Sequence, residues 1–201
     1  MTKTIGIVLF KDFEDLDAIG PKEALTMMAK GSGGEWRVVL VSEDGQPVES
    51  FLNTRYIVDH SYDNCPRLDV VLIPGGMGTR AEMDNPKHIA FVQKHGASAE
   101  YVTSVCTGAL VLHKTGFLKG RRATTHWGAI AELRNLGGDT TVVNDERWVH
   151  DGNVITSAGV SAGIDMALYL ISLLKDPATA KRVQQMMEYY PKPPVFDEVT
   201  V

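Results

Sequence analysis

The sequence is poor in cysteine and has no long apolar segment. Only two of its 201 residues are cysteines, Cys65 and Cys106, and no Cys-x-x-Cys pair occurs. No apolar run approaches the roughly 20 residues that a helix needs to span a bilayer. The first ten residues contain one lysine and a short apolar run but no small-residue cleavage site, so no export signal is expected. These absences predict a reducing compartment, the cytoplasm, and no membrane partner.

Basic runs and metal-ligand patterns are also scarce. The formal net charge is −5, and the longest basic run is Lys119-Gly-Arg-Arg122. A nucleic-acid partner is therefore not expected. The six histidines show no ligand spacing beside a cysteine, so we predict no metal site.

The chain does contain a regular alternation of strand-like and helix-like segments. Hydrophobic residues make up 44% of it and charged residues 22%, which is enough apolar material for one sizeable core. The alternation predicts a single α/β domain with a mostly parallel sheet sandwiched by helices. We place this domain at residues 1–195, followed by a tail at 196–201. The main predicted strands are 4–10, 36–42, 69–73 and 101–105, and the main predicted helices are 21–30, 86–95, 161–175 and 177–190.

Three groups that could carry chemistry follow predicted strands. Asp17 comes after the first strand, Gly75-Gly76 after the strand 69–73, and Cys106 directly after the strand 101–105. The carboxyl ends of parallel strands meet at one edge of a sheet, and ligands bind there in such folds. The sequence therefore predicts a site that these groups share.

Cys106 stands between a strand and a helix that has Thr107 and Gly108 in its first turn. Such a turn projects the side chain from the sheet edge, beside the free N–H groups of the helix. The positive end of the helix is expected to lower the pKa of the thiol and so favour a nucleophilic thiolate. The alternative is a buried cysteine that acts as a small core residue.

Asp17 is the candidate acidic partner of this cysteine. Burial and like charge raise the pKa of a carboxyl beside a thiolate, so Asp17 would donate to sulfur or act as a general acid/base. Glu14 and Asp15 compete for the role from the preceding loop. A simpler interpretation is a helix-terminal carboxylate that interacts with the helix dipole.

Backbone N–H groups of the Gly75-Gly76 turn and of Thr107 are expected to form an oxyanion-type pocket. The alternative for the paired glycines is a tight turn alone. His126 is either a base or orienting group for the cysteine, or a hydrogen-bonded structural histidine. The candidate catalytic residues are thus Cys106, Asp17, Thr107 and Gly76, and the candidate substrate-binding residues are Gly75, His126 and Trp127.

Six segments together resemble the DJ-1/PfpI superfamily, and within it the isocyanide hydratases. They are Leu16–Pro21, Ile73–Gly76, Tyr101–Gly108, Arg122–Trp127, Ala162–Asp165 and Ala180–Gln184. The resemblance implies a flavodoxin-like sandwich, a homodimer and no cofactor. It also implies that Cys106 is the nucleophile and that Asp17 is its acidic partner.

The residue after the cysteine narrows the reaction that this resemblance implies. PfpI-type peptidases have a histidine there, whereas this chain has Thr107, which argues against a Cys-His peptidase. The implied reaction is hydration of an isocyanide to an N-substituted formamide through a thioimidate on Cys106. Three alternatives remain: a hydrolase or glyoxalase-like enzyme for small carbonyl compounds, a redox sensor that oxidises Cys106, and the ligand-sensing module of a DNA-binding regulator. The last is disfavoured because only a short tail follows the predicted domain.

Overall fold

The computed structural model describes residues 2–191. The predicted end of the domain at residue 195 and the tail at 196–201 lie outside the described residues. The strands are β1 (Lys3–Val8), β2 (Trp36–Ser42), β3 (Val48–Glu49), β4 (Arg55–Tyr56), β5 (His60–Ser61), β6 (Val70–Ile73), β7 (Tyr101–Val105), β8 (Arg122–Ala123), β9 (Thr141–Val142), β10 (Trp148–Asp151) and β11 (Val154–Ser157). The helices are α1 (Asp15–Lys30), α2 (Thr79–Glu82), α3 (Pro86–Gly96), α4 (Gly108–Thr115), α5 (Ile130–Asn135), α6 (Ala162–Leu174) and α7 (Pro177–Met186), with a 3₁₀ turn at Trp127–Ala129.

The central sheet has seven strands in the order β10-β11-β7-β6-β1-β2-β5. All neighbouring strands are parallel except β10 and β11, which form an antiparallel hairpin. This confirms the predicted flavodoxin-like, mostly parallel α/β sheet. The chain moves outward from β1 to β2 and β5, and then returns to β6 on the other side of β1. The strand order therefore reverses between β1 and β6, and a crevice for ligands is expected at the carboxyl ends of these strands.

Helices cover both faces of the sheet. Helices α1, α6 and α7 pack together on one face, and α2, α3, α4 and α5 lie on the other. The central strands β1, β6 and β7 are consequently buried almost throughout, and β6 is apolar at every position. Among residues 2–191, no helix combines the length and the apolar character that crossing a membrane requires.

Helix α1 begins earlier than the sequence predicts. Pro21 was expected to be the first helical residue, but the helix starts at Asp15 and Pro21 lies inside it. The preceding loop is fixed by the turn after β6, because the Glu14 N–H donates to the Gly75 carbonyl oxygen at 2.9 Å. The helix can therefore begin at once, and acidic residues in its first turn suit the positive end of the helix dipole. This early start places Asp17 on a rigid helical turn.

Other predicted boundaries agree more closely with the structure. Strand β7 has the predicted bounds, and α3 begins at Pro86 with Asn85 as its N-cap. The Asn85 side chain accepts a hydrogen bond from the Lys87 N–H at 3.1 Å. Helix α7 begins at Pro177 as predicted but ends at Met186, short of residue 190.

Candidate active site

Cys106 occupies a strained turn between β7 and α4. Its φ of 56° lies in the left-handed region, which costs a residue other than glycine of order 1–3 kcal/mol. Both of its backbone groups are held in place. The N–H is shared by the carbonyl oxygens of Ser157 at 3.1 Å and Ala158 at 3.2 Å, and the carbonyl accepts from the Thr125 hydroxyl at 2.8 Å. These contacts hold the side chain at the sheet edge despite the strain.

The Asp17 carboxyl is fully buried and joins three segments of the chain. Its Oδ2 accepts from the Gly75 N–H at 2.9 Å, and its Oδ1 accepts from the Val160 N–H at 3.1 Å. The carboxyl also faces the Cys106 thiol. Val160 has a φ of 49°, an outlier for a β-branched residue, and this conformation aims its N–H at the carboxyl. The structure thus brings Asp17, Gly75 and Cys106 together.

The environment raises the pKa of both groups in this pair. Burial raises the pKa of Asp17 to about 7, although its two N–H donors oppose the change. Burial, followed by the negative charge of Asp17, raises the pKa of Cys106 to about 12. The sequence argument for a lowered thiol pKa is therefore wrong. The Thr107 N–H at the start of α4 does lower that pKa, but desolvation outweighs it.

The two titrations are coupled, so the pair behaves as one unit. The pKa of the carboxyl lies below that of the thiol, so the pair loses its first proton from Asp17 while the sulfur keeps the second. The arrangement can therefore pass a proton between sulfur and carboxylate as the sulfur attacks a substrate.

The Gly75-Gly76 turn does not present the free oxyanion donors that the sequence predicts. The Gly75 N–H is used by Asp17, and the Gly76 N–H donates to the Thr107 hydroxyl oxygen at 2.9 Å. The turn instead forms a closely packed floor under the site. A Cβ at Gly75 would lie 2.6 Å from the Thr107 nitrogen and 2.7 Å from the Cys106 Cβ, and Gly76 has a φ of 128°. Both positions therefore require glycine.

Two further threonines support the site and were not found from the sequence. The Thr79 hydroxyl lies 2.7 Å from the Gly76 carbonyl oxygen and 3.1 Å from the Thr107 hydroxyl oxygen. Thr125 holds the Cys106 carbonyl. An isolated hydroxyl has no recognisable pattern, and the only available signal for Thr125 was its place immediately before His126.

A cavity of about 240 Å³ opens onto the Cys106 side chain. Its wall is mostly apolar, and it contains two charged residues. Arg80 is paired with Glu132 through two hydrogen bonds, of 3.1 and 2.5 Å. No three His, Cys, Asp or Glu side chains come together as a metal site in the part of the chain that the structure describes. The lining residues are Glu14, Phe51, Gly76, Met77, Arg80, Cys106, Thr107, His126, Gly128, Ala129 and Val160.

His126 lies in the cavity wall, whereas Trp127 does not. The His126 Nδ1 accepts from the Gly128 N–H at 3.1 Å, and burial, followed by the charge of Arg80, lowers the pKa of the ring. The neutral ring then carries its proton on Nε2. Trp127 was expected to bind substrate but is 64% exposed and borders a second cavity on the far side of His126.

The family model of DJ-1/PfpI proteins matches residues 3–173, a range that contains every residue of this site. The chain belongs to the DJ-1/PfpI family. Its glycine turn, its strained cysteine and its buried carboxyl all lie within the shared domain.

This DJ-1/PfpI chain is similar in sequence to both enzymes and transcriptional regulators. The isonitrile hydratase of Pseudomonas putida is 40% identical over 98% of this chain and 82% of its own length. The HTH-type transcriptional regulator GbdR of Pseudomonas aeruginosa is 27% identical over 93% of this chain, which spans only 51% of the regulator. A crystal structure of a ThiJ/PfpI family protein from Pseudomonas syringae has a TM-score of 0.87 and 34% identity, covering 98% of this chain and 78% of that one. The identity to the hydratase supports an enzyme of the DJ-1/PfpI family.

Replacing Gly75 with alanine is expected to disrupt this DJ-1/PfpI site. The new Cβ would overlap three atoms at 2.6–2.7 Å, and overpacking of this kind costs about 1–3 kcal/mol of unfolding free energy. Chemical denaturation measures that loss. The control is Gly31→Ala, where the nearest atoms are 3.6 Å away. Equal stability of both variants and the wild type would refute the packing argument.

Alkylation of Cys106 by iodoacetamide is expected to accelerate as the pH rises through about 7, where the Asp17–Cys106 pair loses its first proton. Below that pH both groups are protonated, so no base assists the thiol. Peptide mass spectrometry on a Cys65→Ser background isolates the rate at Cys106. The rise should move to higher pH in Asp17→Asn, because the thiol then titrates alone. An identical profile in the two proteins would show that the groups are not coupled.

Proposed function

We propose that the protein hydrates isocyanides to N-substituted formamides, with Cys106 as nucleophile and Asp17 as general acid/base. The observation that carries the proposal is the buried carboxyl that faces the thiol at the base of a small apolar cavity. An isocyanide is a small, mostly apolar molecule with one reactive carbon, which suits such a cavity. The identity of 40% to the isonitrile hydratase supports this choice of substrate class.

The first half-reaction joins the cysteine sulfur to the substrate. Asp17, as carboxylate, accepts the thiol proton while the Cys106 sulfur attacks the terminal carbon of the isocyanide. Asp17 then delivers that proton to the same carbon, which gives a thioimidate with a C=N double bond. Because one group takes and returns the proton, this step needs no exchange with solvent.

The second half-reaction releases the product by hydrolysis. Water attacks the thioimidate carbon, and Asp17 accepts one of its protons. The imine nitrogen gains one proton, and the hydroxyl of the tetrahedral adduct loses one as the C=O bond of the formamide forms, so the number of protons is unchanged. The tetrahedral adduct then expels the Cys106 sulfur, which recovers its proton from Asp17. The sum is one isocyanide and one water converted to one formamide.

Cys106→Ala is expected to abolish turnover of para-nitrophenyl isocyanide, and Asp17→Asn to reduce it by about 10²–10⁴-fold, the usual contribution of a general acid/base. Formamide formation is followed by chromatography, and denaturation curves verify that each variant folds. Cys65→Ala serves as the control and should retain full activity. Wild-type turnover of methylglyoxal without any turnover of the isocyanide would assign the site to a different DJ-1/PfpI reaction.

We also propose that the protein is a homodimer. Apolar side chains that follow Phe51 along the chain are exposed, with Leu52 at 59% and Ile57 at 82%. The adjoining Phe51 lines the cavity, and its N–H donates to the Phe13 carbonyl oxygen. Exposed apolar patches of this kind mark interaction surfaces. A second copy over this patch would also exclude water from the cavity mouth.

Light scattering after size exclusion should give twice the monomer mass for the wild type at micromolar concentration. Leu52→Glu combined with Ile57→Glu is expected to shift the protein to monomers, because two buried carboxylates at the interface would be costly. Met186→Glu, an exposed residue on α7, is the matched control and should remain dimeric. A monomeric wild type would refute the dimer.

A further inference from the structure

Glu14 lies at the cavity and has no part in the steps derived so far. It is the residue immediately before α1, and it lines the same cavity as Cys106. Its backbone is fixed against the glycine turn, through the hydrogen bond from its N–H to the Gly75 carbonyl oxygen at 2.9 Å. Its charge also acts on the Asp17 carboxyl, which shows that the two acids are near one another. Glu14 is therefore a second, separately positioned carboxyl at this site.

The Asp17 and Glu14 carboxyls differ in how firmly surrounding groups hold them. Asp17 is fully buried, and each of its oxygens accepts a backbone N–H, so it is fixed beside the sulfur. Glu14 is partly exposed and forms no ion pair with residues 2–191, and its carboxyl interacts with the Leu16 backbone N–H. Burial, followed by the charge of Asp15, raises the pKa of Glu14. The raised pKa favours the protonated form of Glu14, which borders the cavity, whereas Asp17 is fixed beside the sulfur.

A second proton donor would let the thioimidate react in one step. While Asp17 receives the water proton, another acid can protonate the imine nitrogen, whereas Asp17 alone would have to make the two transfers in sequence. A thioimidate on Cys106 would have to place that nitrogen and its substituent in the cavity, which is the open space beside the sulfur. Arg80 is paired with Glu132, and a guanidinium stays protonated. His126 is held in its neutral form, and the N–H of a neutral imidazole is a very weak acid.

We propose that Glu14 is a second catalytic residue, which protonates the imine nitrogen of the Cys106 thioimidate and later accepts the hydroxyl proton of the tetrahedral adduct. This inference rests on the proposed function. Protonated Glu14 gives its proton to nitrogen as water adds to carbon and Asp17 takes the water proton. The resulting carboxylate of Glu14 removes the proton of the new hydroxyl as C=O forms and the C–S bond breaks. Asp17 returns its proton to sulfur, so every group regains its starting state.

Because Glu14 acts only in hydrolysis of the thioimidate, its replacement should slow that half-reaction and not the first. Thioimidate formation uses only Cys106 and Asp17, so Glu14→Gln should form the covalent adduct at nearly the wild-type rate. Hydrolysis should slow by about 100-fold, the scale of one general acid/base. The adduct, whose mass exceeds that of the protein by one substrate, should therefore accumulate on Cys106. In the wild type it should stay a minor species.

Rapid quenching followed by intact-protein mass spectrometry measures both phases with para-nitrophenyl isocyanide. Glu23→Gln, an exposed carboxylate on the same helix, is the matched control and should behave as the wild type does. A Glu14→Asp variant should recover part of the hydrolysis rate, since it keeps a carboxyl. Accumulated adduct in Glu14→Gln together with this recovery supports the proposal.

Two results would overturn the role of Glu14 and leave the proposed function intact. One is a Glu14→Gln enzyme with normal turnover and no accumulated adduct. The other is an equal slowing of adduct formation and hydrolysis, which would indicate a structural effect of the substitution. If instead the wild type neither forms an adduct nor produces formamide, the proposed function itself fails.

Discussion

The architecture of this site depends on one buried carboxyl group. Asp17 has no solvent to stabilise its charge, so its two oxygens depend on the N–H groups of Gly75 and Val160 and on the neighbouring Cys106 thiol. Each of these partners belongs to a different loop at the carboxyl edge of the sheet. The carboxyl therefore fixes the loops relative to one another and, in the same contacts, sets the protonation of the nucleophile. The Asp17 side chain thus influences both the arrangement of the loops and the reactivity of Cys106.

This constraint explains several local features that would otherwise be unfavourable. Cys106 and Val160 both adopt left-handed backbone conformations, and neither is a glycine. Strain of this size persists only where surrounding contacts determine the geometry. Here the hydroxyl of Thr125 holds the Cys106 carbonyl, while the Asp17 carboxylate holds the Val160 N–H. Two of the non-glycine residues with positive φ thus adjoin the pair that would carry out the reaction, as expected for a preorganised site.

The sequence predicted the position of the site more accurately than its electrostatics. The strand–cysteine–helix pattern and the glycine turn located Cys106 and Gly75 at one sheet edge, because parallel topology requires it. The predicted direction of the thiol pKa shift was wrong. A helix N-terminus lowers the pKa through a local interaction, whereas desolvation raises it by an amount that depends on everything packed around the sulfur. The two glycine donors of the predicted oxyanion pocket were misassigned for a similar reason. Both glycine N–H groups exist, but their partners are set by contacts between distant residues.

The amino-acid sequence alone determined the alternation of strands and helices, the doubly covered parallel sheet and the identity of the candidate nucleophile. These follow from local patterns: apolar runs, turn residues and the order of elements along the chain. Only the tertiary structure decided which carboxyl faces the cysteine and which faces the cavity. Glu14, Asp15 and Asp17 lie within four residues of one another, yet Asp17 is buried, Glu14 borders the cavity, and Asp15 accepts a hydrogen bond from Tyr56 at 2.7 Å. Their roles separate because helix α1 begins at Asp15 rather than at Pro21, and that start is set by contacts with a turn about sixty residues further along the chain.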